Sequence, residues 1–266
     1  MRFVEKLENA IDKNDSLLCV GLDTDLSKIP EYLRDDENPL LSFNKEVVSH
    51  TKDLVCSYKI NLAFYEASGI AGMEALIDTV KIIPDDIPVI IDGKRGDIGN
   101  TARMYAKAIF EVIKGDAATL NPYLGYDSIK PFLEYENRYV FVICKTSNPS
   151  SSEIQDRKVN GKRLYQLVAE RIKEWGSNCG AVVGATYPEE IREVRRILGD
   201  DRIILIPGIG KQGGNLEKSV RYGCTSGKNI IINVSRSVIY AEGDFPQCVR
   251  DAADDFRRSI NRFRLF

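Results

Sequence analysis

Pro88-Val89-Ile90-Ile91-Asp92-Gly93-Lys94-Arg95-Gly96-Asp97-Ile98 runs from a short apolar segment straight into a cluster of charges, and a helix-periodic segment, Thr101–Lys114, follows it. The apolar part, Pro88–Ile91, is continuously hydrophobic rather than alternating, which suits a strand covered on both faces, as in a parallel sheet. The same unit recurs along the chain. Seven other runs read as strands: Leu17–Leu22, Val55–Ile60, Ala117–Leu120, Tyr139–Cys144, Cys179–Val183, Arg202–Ile206 and Asn229–Val234. Helical periodicity follows them at Phe43–Leu54, Gly72–Ile83, Asp127–Tyr135, Gly161–Trp175, Glu189–Leu198, Leu216–Tyr222 and Phe245–Phe263.

Alternation of strand and helix implies crossover connections, and hence a parallel sheet. Eight such units in 266 residues favour a closed barrel over an open, doubly wound sheet. The expected architecture is α/β: a single (β/α)₈ TIM barrel over residues 1–266, with an extra N-terminal helix, Arg2–Lys13, across one end. No linker, repeat or low-complexity stretch divides the chain. The longest loop, Asn148–Asn160, is rich in serine and charge and reads as a lid.

Composition narrows the function. The formal net charge of −2 gives no general affinity for nucleic acid or an anionic membrane, so any grip on a phosphorylated ligand has to be local. No apolar run approaches the ~20 residues that span a bilayer. The first residues, MRFVEKLENAIDKND, mix acids and bases on a helical pattern unlike a signal peptide, so a cytoplasmic protein is expected. Six cysteines stand far apart with no CxxC pair, which reads as buried thiols in a reducing compartment. The one histidine, His50, lies in a helical segment and reads as a surface or packing residue. Histidine catalysis and a histidine-ligated metal are therefore not expected.

Polar residues gather where each strand ends, the face on which barrel enzymes carry their sites. They are Asp23; Lys59 and Asn61; Asp92, Lys94 and Asp97; Asn121; Lys145, Thr146 and Ser147; Thr186; the glycine-rich loop opening at Pro207-Gly208; and Ser235 with Arg236. The two-residue spacing of Asp92 and Lys94 puts both on one face of a strand, either as a structural ion pair or as part of a site. Asp97 suits a site or a helix entry equally. Lys59 reads as a snorkelling surface residue, a Schiff-base nucleophile or a charge partner of Asp92 and Lys94. Gly208–Gly214 offers backbone N–H groups to a phosphate, and Arg236 offers forked donors beside it.

The segment Asp92-Gly93-Lys94-Arg95-Gly96-Asp97-Ile98-Gly99-Asn100-Thr101 resembles the signature of the orotidine 5′-phosphate decarboxylases. The similarity extends through Val20–Asp23, Lys59–Glu66, Thr119–Gly125, Thr146–Pro149, Val183–Thr186, Pro207–Gly214 and Asn233–Arg236. It looks closest to the longer subgroup, and to a stand-alone enzyme rather than one fused to a phosphoribosyltransferase. The resemblance implies conversion of orotidine 5′-phosphate to uridine monophosphate and CO₂ in pyrimidine biosynthesis, without a cofactor. It implies catalytic roles for Lys59, Asp92, Lys94 and Asp97. It implies that Asp23, Lys59 and Thr101 hold the ribose, that Ser147 reads the pyrimidine and that Gln212 bridges base and phosphate. Arg236 would hold the phosphate, with Pro207 and Ser235 in the substrate-binding set. It also implies a homodimer in which Asp97 and Thr101 reach the partner's site. The alternatives are a magnesium-dependent sugar-phosphate decarboxylase, a Schiff-base aldolase using Lys59 or Lys94, and a non-catalytic nucleotide-binding barrel.

Overall fold

The computed structural model describes residues 1–210 and 213–264. Eight strands close into a parallel barrel in chain order: β1 (Leu18–Gly21), β2 (Ser57–Asn61), β3 (Val89–Arg95), β4 (Ala117–Leu120), β5 (Tyr139–Lys145), β6 (Cys179–Val183), β7 (Ile204–Pro207) and β8 (Ile230–Val234), with β8 returning to β1. The continuous apolar runs explain the closure. The strands are buried along nearly their whole length, except where β3 emerges at its carboxyl end, with one face against the barrel interior and the other beneath the helices.

The helices are α1 (Phe3–Asn14), α2 (Pro39–Thr51), α3 (Leu62–Glu66), α4 (Gly69–Ile82), α5 (Gly99–Lys107), α6 (Tyr126–Leu133), α7 (Leu164–Trp175), α8 (Pro188–Leu198), α9 (Leu216–Gly223), α10 (Arg236–Ile239) and α11 (Gln247–Phe263). Asn38 begins α2 by accepting from the Leu41 N–H, with Pro39 at the first helical position, where its missing N–H costs no hydrogen bond. The segment expected to be helical over Thr101–Lys114 starts earlier and turns into a π turn at Ala108–Val112. The extra helix α1 covers the amino ends of the strands. Phe3 stacks on Tyr139 at the start of β5, Lys6 pairs with Asp116 before β4, and Lys228, before β8, pairs with Asp12.

Two strands depart from regular pairing at their carboxyl ends. The β3–β4 register shifts between Ile91 and Arg95, and the β5–β6 register shifts between Ile143 and Lys145. Irregularities of this kind re-aim side chains next to active sites. The Asn148–Asn160 loop is not featureless either: Pro149–Glu153 forms a 3₁₀ turn, and Lys158–Val159 pairs with Lys162–Arg163 in a small hairpin. No helix among the described residues is long and apolar enough to cross a membrane.

Candidate active site

The carboxyl ends of the strands surround a cavity of ≈ 560 Å³. Register decides which side chains reach it. Gly21 lies opposite Lys59, which lies opposite Ile90, and Asn61 lies opposite Asp92, so Lys59 starts two residues deeper than Asp92 and its long side chain rises to meet the Asp23 and Asp92 carboxylates. Asp92 is buried and receives three hydrogen bonds: from Lys94 Nζ at 2.7 Å, from Lys59 Nζ at 3.1 Å and from Thr119 Oγ1 at 2.7 Å. Lys59 also reaches Asp23 at 3.3 Å. The order Asp23–Lys59–Asp92–Lys94 is thus a chain of alternating charge across the barrel mouth.

Burial alone would raise the Asp92 pKa, but the Lys59 and Lys94 ammoniums and the Thr119 hydroxyl outweigh it and hold the carboxyl well below the usual range. Burial likewise acts to lower the Lys59 pKa, and the carboxylates of Asp23 and Asp92 outweigh it and raise the ammonium above its ordinary value. Both groups are therefore charged at neutral pH. With its side chain only 5% exposed and ion-paired on two sides, Lys59 is neither a snorkelling residue nor a neutral amine ready for Schiff-base formation.

Lys94 differs from the sequence expectation in its backbone. It does not sit on a regular strand face. Its φ is +46°, in the left-handed region, at the irregularity in β3, and its N–H donates to Thr119 Oγ1 at 3.0 Å. The contact with Asp92 is made through a local backbone distortion rather than through strand alternation. A non-glycine residue held there costs of order 1–3 kcal/mol, a strain that concentrates at functional sites. Its side chain is 49% exposed and faces the cavity.

The opposite wall is formed by β7, β8 and the loops after them. Pro207, Gly208, Ser235 and Arg236 line it together with Ser237 and Tyr240. Gly21 makes room for Ser235: a Cβ built at that glycine would lie 1.8 Å from the serine Oγ. Arg236 is exposed, and no ion pair engages it among the described residues. The third wall carries Thr146, Ser147 and Asn148 from the end of β5.

Other strand-end residues go elsewhere. Asn121 accepts from the Tyr123 N–H and caps a 3₁₀ turn, Lys145 is buried behind the wall, and neither it nor Thr186 lines the cavity. Asp97 and Thr101 also lie outside the lining, with Asp97 accepting from the Ile98 N–H. Gln212 lies outside the described residues. No group of three or more His, Cys, Asp or Glu side chains able to hold a metal occurs among the described residues.

Residues 16–249 match the model of the family described as orotidine 5′-phosphate decarboxylase / HUMPS. The chain belongs to that family. It is 46% identical over 260 residues to the orotidine 5′-phosphate decarboxylase of Herpetosiphon aurantiacus, covering 96% of each chain. It is 46% identical over 271 residues to that of Cupriavidus metallidurans, covering 99% of each. Among solved structures it resembles the OMP decarboxylase of Leishmania donovani, with a TM-score of 0.88 and 36% identity over 99% of both chains.

In this member of the orotidine 5′-phosphate decarboxylase / HUMPS family, the strand-end reading misses several polar groups of the mouth, Asn233, Ser237 and Tyr240 among them, and two others meet the charged residues. Thr119 lies inside an apolar run and reads as core; only the β3–β4 pairing sets its hydroxyl against Asp92. Lys28 lies in the loop after β1, away from any strand end, yet lines the cavity beside Tyr240, with its Nζ 5.7 Å from the ring centroid. It pairs with Asp25 at 3.0 Å. Arg236 is therefore not the sole cation on that side of the cavity.

Proposed function

We propose that this barrel decarboxylates orotidine 5′-phosphate to uridine monophosphate and CO₂, a step of pyrimidine biosynthesis, using its own side chains. The observation that carries the reading is the Asp92–Lys94 pair, with Lys59 behind it, set in a cavity that also holds Arg236 at the far wall. When the bond between C6 and the carboxyl group breaks, its electron pair stays on C6, in the plane of the ring. The Lys94 ammonium beside C6 stabilises that charge and then gives it a proton; the neutral amine regains a proton from solvent. Asp92 lies beside the departing carboxylate, and loss of neutral CO₂ removes the negative charge opposite it. Asp23 and Lys59 hold ribose hydroxyls, Ser147 reads the base, and Arg236 binds the phosphate with the loop that opens at Pro207-Gly208, with Ser235 beside it. Gln212 would bridge base and phosphate. The phosphate, remote from the reacting carbon, contributes binding energy that orders the loops. No step calls for a metal or an organic cofactor. Mixing purified protein with orotidine monophosphate and following the substrate absorbance tests the reading: it should fall, and an unchanged spectrum would overturn it.

Residues 1–266 are read as one barrel domain, in the cytoplasm, where six buried free cysteines remain thiols. The functional unit is read as a homodimer with shared sites. Asp97 and Thr101 stand just outside the cavity, flanked by the exposed Ile98 and Met104, with the exposed Tyr123 and Leu124 in the loop after β4. Exposed apolar side chains grouped in this way suit a subunit face. Inactive Lys59→Ala and inactive Asp97→Ala should therefore regain activity when their subunits exchange. A hybrid carries one site with both defects and one with neither. Verified hybrids without recovered activity would rule out the shared site.

A further inference from the structure

Lys145 is the last residue of β5, its side chain is wholly buried, and it does not face the cavity. Its Nζ donates to both carboxylate oxygens of Asp156, at 2.9 Å each, and lies 4.5 Å from the centre of the Tyr187 ring. The residue before Asp156 grips the residue after Lys145. Gln155 accepts from the Thr146 N–H at 2.9 Å, and its amide donates to Thr146 Oγ1 at 2.8 Å, which in turn donates to Asn148 at 2.7 Å. On the other side Gly184 packs directly against Ser147. A Cβ built there would lie 2.9 Å from both the serine N and Cβ, and the Gly184 N–H donates to Lys145 O at 2.8 Å.

A buried ammonium is not what packing alone would select here. An apolar side chain of similar volume fills such a position without desolvating an ammonium, whose partner Asp156 keeps 29% of its side chain exposed. What the ion pair adds is orientation, because it fixes which way the end of β5 turns at its register shift. We propose that Lys145, Asp156 and Gln155 are positioning residues for base recognition, a clasp that holds Thr146-Ser147-Asn148 at the cavity rim so that Ser147 meets the pyrimidine in one orientation. The inference rests on the functional reading above, in which Ser147 reads the base.

Removing one charge alone would strand the other, so the test uses two variants that avoid this. Gln155→Ala opens the outer half of the clasp, and the pair Lys145→Met/Asp156→Leu removes the inner half without leaving a lone buried charge. Calorimetry then compares uridine monophosphate with ribose 5-phosphate, which lacks the base. Each variant should bind uridine monophosphate about 10–100-fold more weakly and lose kcat/KM on orotidine monophosphate in parallel. Ribose 5-phosphate affinity should stay within about twofold, since Asp23 and Arg236 are not touched by the clasp. Gln155→Glu, which keeps an acceptor for the Thr146 N–H, should recover part of the loss. Equal weakening of both ligands would reduce the clasp to general structure, and unchanged affinity for uridine monophosphate would remove it altogether; either result overturns the proposal. The wild-type protein separates the two readings. If it gains nothing from the base, the functional reading fails; if its selectivity persists in the variants, only the clasp fails.

Discussion

An aspartate held by three donors sits at each end of β3: Asp116, from the turn before β4, at the amino end, and Asp92, of the strand itself, at the carboxyl end. At the amino end Asp116 accepts from Lys6 at 2.7 Å, Arg138 at 2.8 Å and the Val89 N–H at 2.9 Å, beneath α1. At the carboxyl end Asp92 accepts from Lys94, Lys59 and Thr119 at similar distances. Chemically the clusters are near copies. They differ in what lies beyond them. The donors of Asp116 close over it: Lys6 is 15% and Arg138 23% exposed, and none of the three residues borders the mouth cavity. Lys94 is half exposed, opens on the cavity and sits on a left-handed backbone. A buried, compensated carboxylate is therefore no mark of a site by itself. A charge left facing empty volume, on a backbone strained to aim it there, is.

Substitutions at the two ends should separate these roles. The largest effect is expected at Lys94. Lys94→Ala should leave the protein folded and nearly abolish decarboxylation, costing at least about 4 kcal/mol of transition-state stabilisation, or three tenfold steps in rate. Near-normal turnover by the folded variant would put the chemistry elsewhere in the cavity.

Arg236→Ala comes next, at about 2–4 kcal/mol in kcat/KM on orotidine monophosphate. The loss should vanish on orotidine, which has no phosphate for the side chain to hold, so enzyme and substrate form a double cycle. Lys28, on the same side of the cavity, is the group to which residual phosphate dependence would point.

Asp116→Ala should do the reverse of Lys94→Ala. It strands two cations under α1 and should lower unfolding stability by about 2–4 kcal/mol. Its kcat/KM under conditions where it is folded should stay within about twofold of wild type, because the cluster lies at the other end of the strand. A selective loss of turnover would mean that the two ends of β3 are coupled.

The smallest expected effect sharpens the backbone half of the comparison. Lys94→Gly should be as inactive as Lys94→Ala but about 1 kcal/mol more stable, since glycine adopts the left-handed φ without the penalty an alanine Cβ brings. Denaturant melts of the two variants measure this directly, and equal stabilities would show that residue 94 relaxes when its ammonium is gone.

Much of the barrel and of its mouth is legible in the order of residues. The strands are short, apolar and evenly spaced with helical segments, and that periodicity survives without knowledge of contacts because each strand must be covered on both faces. The strand-end residues Asp23, Lys59, Asp92, Ser147, Ser235 and Arg236 all line the cavity, and the loop after β7 contributes Pro207 and Gly208. Other strand-end residues could not be sorted in sequence. Asn121 caps a turn and Lys145 points behind the wall, yet nothing local distinguishes them from Asn61 or Thr146.

What the sequence determined by itself, then, is the alternation that closes the barrel and the family signature from Asp92 to Thr101, both of which are properties of residues near one another along the chain. Tertiary structure alone decided which polar residues meet. Thr119 joins Asp92 from the neighbouring strand, Lys28 reaches the cavity from a loop, Asp156 doubles back onto Lys145, and Lys94 reaches Asp92 through a left-handed residue rather than through strand alternation. The reason is that a charge array is fixed by register and by backbone irregularity, both set by pairing between strands, and neither leaves a trace in the order of residues within one strand.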